Sequence, residues 1–163
     1  MLLTGQIALT RTNGRWSELI REVTQSDYNH TVIAISETKC IGAEPGGVRI
    51  RPISDFPIAA WSQFIYRGNQ RDNLVDWAED QEGVEYSYVE DLLIGVALLT
   101  RSNTPGWIER RLSSGDSWQC AAMCDAALMH VGIYLFRDTR PVGAVYPGSF
   151  VPFWRDFGWL PKS

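Results

Sequence analysis

Cysteine, histidine and basic charge are all scarce in this chain, and each shortage removes a class of function. Three cysteines, Cys40, Cys120 and Cys124, are spread over 163 residues. A small, odd count builds no disulfide framework. Histidine occurs twice, as His30 and His130. The one local set that could ligate a metal is Cys120, Cys124 and His130, and its spacing matches no zinc signature. We therefore expect neither metal nor cofactor. The formal net charge of −4 lacks the basic footprint of nucleic-acid binding. Basic residues cluster only locally, Arg49 with Arg51 and Arg101 with Arg110 and Arg111. They read either as solvated faces or as a carboxylate-binding rim on a peptide site. No run of about twenty apolar residues exists, so nothing is expected to span a membrane. Met1-Leu2-Leu3 passes at once into Thr4-Gly5-Gln6, which is not the form of a signal peptide. The default expectation is the cytoplasm. No internal repeat or low-complexity tract is present.

What remains is an ordinary globular composition, 45% hydrophobic and 21% charged, with seven tryptophans. The length predicts one domain over residues 1–163, with aromatic packing carrying much of the core. Ile7 to Thr10 reads as a first strand. Asn13 can cap a short helix with Trp16, Leu19, Ile20 and Val23 on one face. After a polar loop, His30 to Ile35 reads as a central strand, and Cys40 to Glu44 returns beside it after the turn Glu37-Thr38-Lys39. Pro45-Gly46-Gly47 turns the chain again, and Val48 to Ile53 alternates apolar and basic residues as a half-buried strand does. Residues 52–60 read as a connection and Ser62 to Tyr66 as a further strand. Asn69 can cap a helix through Leu74, Val75, Trp77 and Ala78 that ends at Gly83. Ser87 and Glu90 form a capping box for an apolar helix over Tyr88 to Leu99. The segment from Tyr134, rich in Pro, Gly and aromatics, reads as irregular structure packed on the domain. The fold class is α+β, a small antiparallel sheet with helices packed beside it.

The stretch Asp116-Ser117-Trp118-Gln119-Cys120 precedes an almost wholly apolar run. Asp116 with Gln119 has the form of a capping box, and Gly132 supplies a stop. This predicts a buried helix with Cys120 in its first turn, where the helix dipole and open amides favour a thiolate. The Cys120 amide would also be an oxyanion donor. Free cysteine is commonly just a small buried hydrophobe, which suits Cys40 and Cys124 better than Cys120. A cysteine hydrolase also needs a base and a group that holds the base. His130, at a helix C-terminus, reads as structural. His30 opens a strand. A hairpin around Glu37-Thr38 pairs residues whose numbers sum to 74 or 75, which sets position 30 against 44 or 45. Glu44 could then hold the imidazole. It could equally be a surface partner for Arg49 or Arg51.

The segments Gly5-Gln6-Ile7-Ala8-Leu9, Tyr28-Asn29-His30, Glu44-Pro45-Gly46-Gly47-Val48 and Cys120-Ala121-Ala122-Met123 fall in an order that resembles circularly permuted NlpC-type papain-like cysteine hydrolases. The similarity runs over most of the chain. It implies Cys120 as nucleophile, His30 as base and Glu44 as the polar third residue. It also implies an antiparallel sheet or half-barrel packed against the Cys-bearing helix. Two departures are visible: Gly5-Gln6 where the family usually has Gly-Asp, and Ala121 where relatives often carry Ser. The expected activity is hydrolysis of an amide bond, such as one in a cell-wall peptide, through an acyl-enzyme. An ester, thioester or lipid acyl substrate is the first alternative, suggested by the aromatic C-terminal segment as a groove lining. A non-catalytic binding module is the second.

Overall fold

In the computed structural model, residues 2–11, 18, 21, 26–86, 119–137 and 144–161 are described. The expected helices around Trp16 and over Tyr88 to Leu99 lie outside these residues, as do Arg101, Arg110, Arg111 and Asp116. Five antiparallel strands form an open sheet in the order β4-β3-β2-β1-β5. They are β1 (Ile7–Thr10), β2 (His30–Ala34), β3 (Lys39–Glu44), β4 (Gly47–Pro52) and β5 (Ile58–Trp61). Among the described residues three α-helices accompany it: α1 (Gln70–Glu79), α2 (Cys120–His130) and α3 (Val151–Asp156). None of these helices is long and apolar enough to cross a membrane.

The first four strands stand where alternation and turn residues place them. The β3–β4 hairpin turns at Pro45-Gly46, and Gly46 and Gly47, the first residue of β4, have φ values of 100° and 113° that exclude most side chains. The fifth strand is a correction: it covers 58–61, not 62–66. Two alanines and a preceding proline hide its pattern. Beyond it, Gln6 replaces the ladder with its own side chain. Its Oε1 accepts from the Ser62 hydroxyl and the Phe64 amide, both at 2.8 Å, and its Nε2 donates to the Phe64 carbonyl at 3.0 Å. Ser62 Oγ in turn accepts from the Ile7 amide at 2.8 Å. A carboxylate at position 6 could not donate to Phe64, so here glutamine serves as a structural clamp.

The core lies on one face of the sheet. Ile7, Leu9, Ile33, Ile41, Ala43 and Val48 pack against Ala121, Met123, Cys124, Ala127 and Leu128 of α2 and against Leu74 and Ala78 of α1. A smaller cluster of Ala8, Val32, Cys40 and Phe56 covers the other face. The C-terminal segment is also more regular than expected. A 3-10 turn over Pro147–Phe150 runs into α3, whose Pro152 sits in the first turn where no amide is needed. Phe150 and Trp154 from this segment are wholly buried. They complete the core, so they cannot line a groove for an acyl chain.

Candidate active site

Helix α2 begins at Cys120, with Gln119 in extended conformation (φ −95°, ψ 157°) as its N-cap. This corrects the expected start at Asp116. Gln119 does not cap with its side chain. Its Nε2 instead donates to the Val145 carbonyl at 2.6 Å, fastening the helix start to the C-terminal segment. Cys120 is therefore the first helical residue and only 4% exposed. At the far end Gly132 (φ 81°) and the Ile133 amide bonded to the Leu128 carbonyl close the helix, as expected. His130 stacks on Trp77 at 5.9 Å between centroids.

Two anchors fix the direction of α2. Cys124 Sγ lies 3.4 Å from Thr31 Oγ1, beside the start of β2. The Val131 carbonyl accepts from Gln70 at 2.7 Å, near the end of β2, where the Tyr66 hydroxyl meets the Gly5 carbonyl and the Gly5 amide meets the Ala34 carbonyl. The helix thus runs along β2, and Cys120 stands toward the His30 end. A cleft of about 230 Å³ lined by Ser26, Tyr28, Tyr146, Pro152 and Arg155 opens near this end. A larger one, about 520 Å³, lies near the other end beside Gln6, Phe64 and Tyr66.

Strand parity then separates the two candidates in depth. Thr31 and Ile33 face α2, whereas His30 shares its face with Val32 and Cys40. The His30 ring stacks on Phe56, with centroids 5.6 Å apart and planes at 24°. Its Nε2 lies over Gly42, where an added Cβ would stand 3.5 Å from that nitrogen and 2.9 Å from Val32 Cγ1. Glycine at 42 makes room for the Val32 side chain, and the ring lies at ordinary contact distance beside it. Cys120 and His30 are each the first residue of their element, and the His30 ring lies on the side of the sheet turned away from α2.

The hairpin register agrees with the expectation. Ile33 pairs with Ile41 and Ala34 with Cys40, and the same sum sets His30 opposite Glu44. The expected hydrogen bond between them is absent. Glu44 Oε2 is 3.0 Å from Arg51 Nη1, and Arg51 Nη2 is 2.8 Å from Asp55 Oδ2. An exposed guanidinium one strand away satisfies the carboxylate better than a neutral imidazole does. Arg49 donates to the Gly46 carbonyl. Neither arginine stands ready as a carboxylate-binding rim. Thr10, paired with His30 on the other side, completes a row across three strands. In that row Thr10 Oγ1, His30 Nε2 and Glu44 Oε1 are all buried without a hydrogen-bond partner. Sequence reasoning missed Thr10, Gly42, Asp55 and Phe56, whereas the reading of Glu44 as a partner of Arg51 agrees with the structure. The register sum for β1 and β2 would have found Thr10, and the four-residue spacing of Arg51 and Asp55 was a further signal.

Burial, and then the Arg51 charge, lower the His30 pKa from 6.5 to about 4. The imidazole is neutral at pH 7 and resists protonation until about pH 4. Burial pushes the Cys40 thiol up to about 12, and it raises Cys124 as well. Neither is a nucleophile near neutrality. Acid should expose the His30 effect. As pH falls below 6.5 the unfolded chain takes up a proton at this residue, while the folded chain resists until about pH 4. Below pH 4 the folded state has lost about 3 kcal/mol from this one group. Urea unfolding of wild type and His30→Gln at pH 7 and 4 should show the variant losing less stability. Equal losses would contradict the burial of a neutral imidazole.

Among the described residues no group of three or more His, Cys, Asp or Glu side chains could hold a metal ion. No family model matches the chain, and no curated protein matches it.

Proposed function

We propose that this chain is a cysteine hydrolase that cleaves an amide bond, such as one in a cell-wall peptide. The observation that carries the reading is a thiol as the first residue of a buried apolar helix, standing toward the end of β2 that holds a neutral imidazole. The resemblance to circularly permuted NlpC-type papain-like cysteine hydrolases supports the same assignment. His30 takes the Cys120 proton as the sulfur attacks the carbonyl carbon. The first-turn amides of α2 stabilise the oxyanion. The C–N bond breaks, His30 returns the proton to the leaving nitrogen, and a thioester remains on Cys120. Water then gives a proton to His30 and its oxygen to the acyl carbon, and the proton returns to sulfur. Glu44 offsets the imidazolium charge in each half.

The low exposure of Cys120 and His30, and their different faces of the sheet, favour the rival reading of a binding module without activity. Turnover separates them. Peptidoglycan fragments and short acyl esters are incubated with wild type and Cys120→Ala. Amide cleavage lost in the variant is the expected result, and ester cleavage alone would move the assignment to an acyl hydrolase. Identical behaviour of the two proteins would overturn the hydrolase reading.

A further inference from the structure

The row of unpartnered polar atoms beside His30 ends on a carboxylate that is only half used. Glu44 gives Oε2 to Arg51 at 3.0 Å, while its Oε1 is buried without a partner. One strand away His30 Nε2 is buried without a partner too. Arg51 is held from outside: its Nε and Nη2 reach Asp55 Oδ2 at 3.1 and 2.8 Å, and its guanidinium lies 5.2 Å from the Phe56 ring centre. Phe56 is also the ring on which His30 stacks. Asp55, Arg51, Glu44 and His30 thus follow one another across the turn after β4, then β4, β3 and β2, with Phe56 beside both the Arg51 guanidinium and the His30 ring.

We propose that Arg51, anchored by Asp55, is a positioning residue for His30 and acts through Glu44. It commits one carboxylate oxygen and leaves the other available to the imidazole. The proposal rests on the reading of His30 as the base. Its physical basis is the charge that the ring must carry briefly in each half-reaction. A protonated imidazole at this depth meets a like charge on Arg51 and needs a counter-charge. Glu44 Oε1 is the buried acceptor opposite it. A carboxylate free to turn would lose that alignment, and the Arg51 bridge holds it. Among the described residues, the groups on the ring's side of the sheet come from four elements. Thr10 comes from β1, Cys40 and Glu44 from β3, Arg51 from β4, and Asp55 with Phe56 from the following turn. Arg49 turns to the Gly46 carbonyl. The Cys40 thiol is neutral.

The experiment is an NMR titration of the His30 ring in the full chain, with His130 as internal reference. Arg51→Gln removes the repelling cation, so the His30 midpoint should rise by about one pH unit. Arg51→Lys keeps the repelling charge but loses the fork that bridges Asp55 and Glu44, so the counter-charge loosens and the midpoint should fall below wild type. Glu44→Gln removes the counter-charge and should push the midpoint lower still. Opposite shifts from Arg51→Gln and Glu44→Gln are the signature of the network, because general loosening would move both toward the free-histidine value. An unchanged midpoint in folded Arg51→Gln, a wild-type midpoint in Arg51→Lys, or shifts of the same sign in Arg51→Gln and Glu44→Gln would overturn the proposal. If Arg51→Gln does not fold, Arg51→Lys and Glu44→Gln still carry the test. The Cys120 alkylation rate is followed over the same pH range. Midpoints that move while alkylation stays put would leave the network standing and remove the hydrolase reading.

Discussion

Cys120→Ala should abolish turnover, with kcat/KM falling by at least about 10^4-fold, while the fold survives. The loss is large because the acyl-enzyme route has no substitute nucleophile. Cys124 is one turn further along the helix, bonded to Thr31 and raised in pKa by burial. Cys40 lies on the opposite face, with its thiol pushed up to about 12. Alanine suits the first turn of a helix, and the cavity left by one sulfur is small. A stability cost of about 1 kcal/mol is expected. Circular dichroism and urea unfolding check that the variant is folded, and the substrate assay gives the rate. Retained turnover in a folded variant would contradict the assignment of the nucleophile.

Trp154→Ala should cost about 3–5 kcal/mol, the largest stability effect expected of any single truncation here. Trp154 is fully buried, packed on Phe150 at 6.0 Å and on Trp159 at 6.1 Å between ring centroids. Its carbonyl also accepts from the Trp159 and Leu160 amides, closing the chain around it. Domains of this size have about 5–15 kcal/mol in total, so the variant should be close to unfolding at 37 °C. Trp154→Phe should cost much less, since it also removes an indole N–H that is buried without a partner. Urea unfolding of both variants measures the difference. A loss under about 1 kcal/mol for alanine would mean that the C-terminal segment is an appendage and not part of the core.

The local features were legible because they depend on neighbours in sequence. Strands β1 to β4, the hairpin sum that sets His30 against Glu44 and the glycine stop of α2 follow from alternation and turn residues; α1 stands where expected but ends at Glu79, not Gly83, and Asn69 makes no side-chain cap. The misplaced features depend on tertiary partners. Strand β5 carries alanines whose placement is decided by β1. The start of α2 is set by the bond from Gln119 to Val145, twenty-six residues away, which no capping pattern encodes. The side of the sheet on which His30 faces could not be read either. All five residues of β2 are buried, so the strand shows no polar face to orient it. The bland reading of Glu44 as an arginine partner and the sharper one as a support for the imidazole turn out to concern its two different oxygens.

The central claim is that the thiol at the start of α2 is activated by the imidazole at the start of β2. Limited iodoacetamide treatment of the native protein, with mass spectrometry on the three cysteine peptides, addresses it most directly. Cys120 should be modified first, and His30→Gln should slow it by about tenfold or more. Equal, slow modification of Cys40, Cys120 and Cys124, or a Cys120 rate indifferent to His30, would contradict the account.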